Sequence, residues 1–299
     1  MQSELNPAEP DARGARRILC SQIDEAAAAL ANARVGDEDI HNARKSLKKA
    51  RATLRLLRDA IPARHYRREN RALRDAARPL SAVRDAKVMR ETLQHLTKLY
   101  GPAAEQCTPA AFLRTLQREQ AGTPKPPLPS KSAKDPTTLI KASRHRVNEW
   151  RVTARGWAPM GRGLKRTYGQ GRKAMKQAKS APTPECLHEW RKRTKHLWHQ
   201  LQVLQPIASG EIGELADRAH KLSDYLGDHH DLAVLRDKVK ANEPAFAAVG
   251  GTGALLAFIE RCQRQLSEKA FRSGSRIFSK RPKQFAAGVG ESWRVWQKR

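Results

Sequence analysis

The chain is short of acid. Its 299 residues carry 30 Asp and Glu against 58 Lys and Arg, a formal charge of +28. A surplus of that size calls for a polyanionic partner: nucleic acid, an acidic membrane surface or a polyphosphate. Aromatic residues are few, at 5%. Their scarcity counts against single-strand nucleic-acid binding, which needs aromatic platforms for the bases. Cysteine is scarce as well. Cys20, Cys107, Cys186 and Cys262 stand far apart with no CxxC spacing. They read as free thiols in a reducing cytosol, so a cytoplasmic location is expected. No apolar run is long enough to span a bilayer. The N-terminus is too polar for a signal peptide, and no membrane partner is expected. Signatures of catalysis are missing too. There is no Walker-type glycine loop, no G-x-S-x-G and no carboxylate cluster to hold Mg²⁺ for phosphoryl transfer. The chain reads as a binder rather than an enzyme, with no cofactor.

What is present is helical periodicity. No strand-like alternation stands out, and the expected fold is all-α, an antiparallel helical bundle. Residues 1–12, with Pro7 and Pro10, read as a disordered N-terminus. Helices are expected over about 15–34, 41–58, 63–80, 83–99 and 109–120, with a break or kink at Pro79. A segment rich in Pro, Lys and Ser, about 122–137, reads as a linker between a first half (13–121) and a second (138–299). A closing helix is expected over about 253–269.

The stretch from His41 to Arg58 organises the rest. Ala43, Leu47, Ala50, Leu54 and Leu57 make an apolar stripe at helical spacing. His41, Arg44, Lys48, Arg51 and Arg55 make a second stripe, entirely basic. Solvated helix faces mix acids with bases, because opposite charges at i,i+4 stabilise and like charges repel. Between Ile40 and Arg58 there is no acid. Arg67, Arg71, Arg74 and Arg78 form another basic row on the next helix.

The pattern recurs. His188-Glu189-Trp190-Arg191-Lys192-Arg193-Thr194-Lys195 lies over His41 to Lys48, sharing H-x-x-R-K-x-x-K at an offset of 147. Downstream, Leu226 to Arg236 lies over Leu80 to Arg90 at an offset of 146. For one helix alone, a solvated basic face is the ordinary reading. Recurrence in a duplicated unit, with His at the head each time, favours a ligand. A duplication also suggests two pseudo-symmetric repeats whose basic faces oppose each other across a central channel or pocket. Arg suits such a site because its fork holds phosphate oxygens bidentately, and Lys adds mobile charge.

The binding set read from this pattern is His41, Arg44, Lys45, Lys48, Arg51, Arg55, Arg74 and Arg84 in the first half. In the second it is His188, Arg191, Lys192, Lys195, His199, Lys221 and His230. The histidines either donate to phosphate or orient their neighbours. Asp85 and Asp231 read as structural groups, holding a cation of the stripe or capping the helix that follows. His196-x-x-His199 and Asp228-His229-His230-Asp231 offer metal-ligand types. Neither makes a tetrahedral set, and the surrounding charge repels a cation, so no metal is expected.

H-x-x-R-K-x-x-K, then alternating Leu and base, then L-[GS]-x-x-[RH]-D-x-x-V, twice in one helical chain, resembles the CHAD domain (conserved histidine α-helical domain). Leu187 to Arg193 and Leu226 to Leu232 carry the nearest likeness. The resemblance implies a bundle of two related halves that binds inorganic polyphosphate through basic residues around a central channel. It also implies, for some members, location on polyphosphate granules. Several relatives are fused to a triphosphate-tunnel (CYTH) domain, which supplies hydrolysis; this chain resembles a stand-alone member. It departs from the pattern at Ser81-Ala82-Val83 and at His230, which replaces the Arg of the usual Arg-Asp pair. Two alternatives remain: a non-specific, nucleoid-associated nucleic-acid binder, and an accessory subunit of a polyphosphate or triphosphate hydrolase. Weak, salt-dependent nucleic-acid binding is expected in any case.

Overall fold

A computed structural model describes residues 4–7, 9, 11–32, 35–80, 135–241 and 252–298. Among them the structure is helical throughout, with no strand. Helices α1 (Asp11–Ala29), α2 (Asp37–Leu56), α3 (63–80) and α4 (Pro136–Asn148) come from the first part. Helices α5 (Ala158–Ser180), α6 (Pro184–Leu204), α7 (Ser209–Ala241), α8 (Thr252–Ile277) and α9 (Pro282–Trp296) follow. The helices expected over 83–99 and 109–120, and the Pro/Lys/Ser-rich segment up to residue 134, lie outside the described residues. Asp135 accepts from the backbone of Thr137 and Thr138 and caps α4. Residues 136 and 137 therefore belong to that helix, with Pro136 at a position where no N–H is needed.

The N-terminus differs from its expectation. Pro7 and Pro10 suggest disorder, yet Leu5 is buried in the core and Ala12 lies within α1. Arg17 fixes this segment by bonding Glu9 (2.7 Å) and the carbonyl of Glu4 (2.8 Å).

Helix α1 packs along α2 of the first half and along α4, which follows the linker segment. Ile18, Leu19 and Ile23 bury one face of α1 completely, against Leu47 and Leu54 of the same core. Polar ties fix the register. Thr53 donates to Gln22 (2.8 Å), Ser46 donates to Glu25 (3.0 Å), and Arg144 pairs with Asp24 (2.8 Å). Glu69 of α3 is fully buried and held by both Arg146 (2.7 Å) and Arg68 (2.8 Å). Burial pushes its carboxyl up, but the bonds from Arg146, Arg68 and Ser143 outweigh that and hold it below the usual carboxylate range.

The second half is built on α6, which packs between α5 and α7. Trp190 is wholly buried and stacks on Phe271 of α8 at 5.2 Å. Tyr168 stacks on Phe285 of α9 at 4.1 Å. The two halves meet where α2 packs on α5 and α6. There Gly163 lets α5 approach the carbonyls of Leu56 and Arg55 so closely that no Cβ would fit.

A second apolar cluster lies apart from the main core. Leu232, Leu235 and Val239 of α7 pack there on Leu255, Phe258, Ile259, Cys262 and Leu266 of α8. At 33 residues, α7 passes through Gly227 without a break, a length of about 50 Å at 1.5 Å per residue.

Candidate polyanion-binding site

Helix α2 forms because Asp37, Glu38 and Asp39 complement its N-terminal dipole and the following residues are strong helix formers. Asp39 reaches back to the backbone N–H of Gly36 (2.8 Å). Burial of Ala43, Leu47, Ala50 and Leu54 turns the basic stripe to the edge of the core. His41, Lys45 and Lys48 are exposed, while Arg44, Arg51 and Arg55 are half-buried. Arg44 donates to the carbonyl of Leu80 (3.1 Å), and Arg55 donates to that of Arg51 (2.9 Å). Arg58 lies over the Tyr66 ring at 5.1 Å. Arg74 is exposed and bonded to its neighbour Asp75 (3.0 Å), yet its charge acts on Arg51.

Helix α6 starts at Thr183, whose side chain accepts from Cys186, with Pro184 in its first turn. Its apolar face is Leu187, Trp190, Leu197, Leu201 and Leu204. Gln200 is buried and donates to the carbonyl of Ala52 (3.1 Å), joining α6 directly to α2. The neighbours run in opposite order along the two helices. Lys48 and Lys49 act on His199, whereas Arg51 and Arg55 act on His196 and Arg55 is acted on by Arg193. The basic faces of α2 and α6 therefore meet antiparallel.

Further along α6, the rings of His188 and His230 lie 4.3 Å apart. The Arg191 guanidinium lies flat on α7 at Gly227, where a Cβ would come within 3.0 Å of it. Arg44 at Leu80 and Arg191 at Gly227 are thus aligned arginines docked at aligned ends of the downstream motif.

The structure brings Lys48, Arg51, Arg55, Arg74, Lys195 and His199 into one cluster, and His188, Arg191 and Lys192 of α6 with His230 of α7 into another. Lys192 is exposed and paired with Glu189 (2.6 Å). Lys221 is exposed on α7, and no interaction ties it to either cluster. Arg84 and Asp85 lie outside the described residues. Asp231 lies within α7. It makes no ion pair among the described residues and caps nothing, because it sits in the middle of α7. One residue beyond His230 on a continuous helix, it is turned by about 100° from the His188 side. Two contributors escaped the sequence reading, Arg193 and His196. Arg193 is held by Glu189 (2.6 Å) and Gln170 (3.0 Å). Both lie off the i,i+3,i+7 stripe, on the flank that faces α2.

Electrostatically the site is cationic at neutral pH, with uncharged histidines set among the cations. Burial, then Arg51, Arg193 and Arg58, bring Arg55 down to about 10 against the pull of Tyr66. Burial and Arg74 lower Arg51. Burial, then Arg55, Arg51 and Arg193, hold His196 well below its ordinary value. His199 falls to about 4 through burial and then Lys195, Lys49 and Lys48, despite a bond to Gln202. His188 also falls to about 4, through burial, His230, Lys192 and Arg191. The Nε atoms of Arg51 and Arg191 and the Nδ1 atoms of His188 and His196 are buried without a hydrogen-bond partner among the described residues. Buried polar atoms are normally satisfied, so these four mark where the fold leaves polar demand unmet among the cations. Among the described residues no group of three or more His, Cys, Asp or Glu side chains is placed to hold a metal ion. None of the described helices is long and apolar enough to cross a membrane.

The CHAD domain family model matches residues 17–240. The chain belongs to the CHAD domain family. No curated protein matches it. The CHAD match takes in the α2–α6 face and the Arg191–Gly227 contact. Helices α8 and α9 lie beyond it, although Phe271 of α8 and Phe285 of α9 complete the core around Trp190 and Tyr168.

Proposed function

We propose that the α2–α6 face binds inorganic polyphosphate and does not itself turn it over. One observation carries this reading: two base-rich helices from opposite halves of the chain lie antiparallel, with cations side by side and neutral histidines among them. Neither Arg51 nor Arg55 makes a salt bridge among the described residues, so their charge is left for an external anion. A polyphosphate chain is thin, flexible and without bases, and it suits a crevice at the boundary of a core. Duplex DNA is too wide for such a crevice and is read by residues on an outer surface. The aligned contacts of Arg44 and Arg191 support two related halves sharing one ligand. Association with polyphosphate granules in the cytoplasm follows from the same reading.

Competition tests it. Long-chain polyphosphate should hold its place against duplex DNA at equal phosphate and about 0.15 M salt, where exposed charges are screened within ~8 Å. Displacement by DNA would favour the nucleic-acid binder instead. Release of orthophosphate in the presence of Mg²⁺ would show that the chain is not a binder alone.

A further inference from the structure

Helix α5 carries seven bases and no acid. Its two edges face different surroundings. On one edge Arg166 pairs with Asp59 just beyond α2 (2.9 Å), and Gln170 accepts from Arg193 of α6 (3.0 Å). That edge borders the site described above. On the other, Lys165, Arg172 and Lys176 follow at i, i+7 and i+11, which places them on one helix face. There Arg172 donates to the carbonyl of Phe278 (3.2 Å). The Tyr168 hydroxyl donates to the carbonyls of Ile277 (3.0 Å) and Lys280 (3.2 Å), and Pro282 packs beside Gly169. These bonds fix the corner between α8 and α9 against α5.

The corner is also acid-free. From Lys269 to Gly290 there are six bases and no Asp or Glu. Lys173, Lys176, Lys280 and Lys283 are exposed, and none of their side chains makes a hydrogen bond or ion pair with a described residue. Arg162 and Lys173, also exposed, lie between the two edges of α5 and connect them.

We propose that the outer face of α5 and the α8–α9 corner form a second polyanion track, continuous with the α2–α6 face, along which the far part of a long polyphosphate chain lies. The inference rests on the function proposed above. Like charges gathered on a rigid corner repel each other, and only an external anion relieves them. The track exposes no aromatic ring for a base to stack on, since Tyr168 and Phe278 are buried, so a chain of bare phosphates suits it. A chain already held at α2–α6 meets the track intramolecularly, at a high effective concentration. Affinity should therefore rise with chain length beyond what the first face alone supplies.

The test compares the full chain with a variant carrying Lys173→Gln, Lys176→Gln, Lys280→Gln and Lys283→Gln. Calorimetric titration with inorganic triphosphate and with long-chain polyphosphate reads the two affinities. Triphosphate affinity should stay unchanged, while long-chain affinity should fall by about tenfold with a shallower salt dependence, as fewer counterions are released. Arg at the same four positions should restore both. Unchanged long-chain affinity and salt slope, equal losses for the two ligands, or a loss confined to duplex DNA would each overturn the track. An Arg51→Gln variant separates the two claims. If Arg51→Gln leaves triphosphate binding intact, the function proposed for α2–α6 fails. If it abolishes that binding while the four-lysine variant matches the wild type on long chains, only the track fails.

Discussion

Replacing Arg55 by Met should stabilise the empty protein and weaken its complex with polyphosphate. Burial first, and then Arg51, Arg193 and Arg58, draw Arg55 down from the ordinary arginine value to about 10, against the pull of Tyr66. At ~1.36 kcal/mol per pH unit, that fall corresponds to roughly 3 kcal/mol of discouraged charge. One loss offsets part of that: the bond from Arg55 to the Arg51 carbonyl disappears, worth about 1 kcal/mol. The net gain should be about 1–2 kcal/mol, within the range seen when a buried charge is replaced by a packed apolar side chain. Each kcal/mol raises the melting temperature by about 2–4 °C in a chain of this size.

Urea unfolding at pH 7.5, in buffer free of phosphate, reads the effect. Because burial outranks repulsion among the causes, high salt should remove only the smaller part of the gain. Saturating polyphosphate should reverse the order of the two proteins, since a ligand that binds only the native state stabilises the wild type by mass action. A loss of more than about 1 kcal/mol in the empty variant would refute the reasoning. It would mean that Arg55 is held by the fold rather than strained within it.

Acid should weaken the empty protein. His188, His199 and His229 sit near 4 and His196 lies well below 6.5, so the native state binds fewer protons than the unfolded chain. Stability is then complete above about pH 6.5 and falls as the pH drops towards 4, by up to ~1.4 kcal/mol per pH unit for each histidine. Melting curves across that window, with and without polyphosphate, check it; a flat profile for the empty protein contradicts the burial of neutral imidazoles. Gly163→Ala should cost about 2 kcal/mol or more, because the new methyl meets the backbone carbonyls of Leu56 and Arg55 rather than a movable side chain. Gly288→Ala, with nothing within 4 Å, should instead gain about 0.5–1 kcal/mol from helix propensity. Equal melting shifts for the pair would remove the claim that α5 is seated against α2 by its glycine. Gly227→Ala should leave stability within about 1 kcal/mol, since only the flexible Arg191 must move, yet lower polyphosphate affinity several-fold. Unchanged affinity would show that the resting place of Arg191 does not matter to binding.

Much of this was legible in the residues. The apolar spacing of Ala43, Leu47, Ala50 and Leu54 reads directly as a buried helix face, and all four are fully buried. The repeated H-x-x-R-K-x-x-K singles out α2 and α6 from the residues alone. Less visible was the α9 helix. Phe285, Val289, Trp293 and Trp296 have helical spacing, but Gly288 and Gly290 between them mask it. Leu5 was overlooked because a lone apolar residue among prolines and acids has no period to reveal it. The roles of Arg193 and His196 depend on which flank of α6 meets α2, and that is decided by the Gln200–Ala52 contact between residues 148 positions apart. The place of Asp231 within a helix is hidden for a related reason. Beside Gly227, an acid after two histidines resembles a helix start, yet α7 runs through without a break.

The acids that are present clarify the role of those that are missing. Glu69, Asp24, Asp59 and Glu189 each bind an arginine that joins one helix to another or lies at such a junction: Arg146, Arg144, Arg166 and Arg193. The fold thus places its carboxylates where cations serve architecture. Among the described residues Arg51 and Arg55 make no salt bridge, although Asp59 lies only four residues beyond Arg55 and Asp75 acts on Arg51 from a distance. A carboxylate within reach of either would neutralise it, stabilise the empty bundle and compete with any incoming anion. Placing an acid there should therefore separate stability from binding. Lys48→Glu, one turn before Arg51 and Ala52, puts a carboxylate next to the site at i,i+3 spacing to Arg51. Its expected result is an empty protein at least as stable as the wild type, with polyphosphate affinity reduced by tenfold or more, or about 1.4 kcal/mol. A variant that gains stability but binds polyphosphate as before would show that the ligand does not use this face.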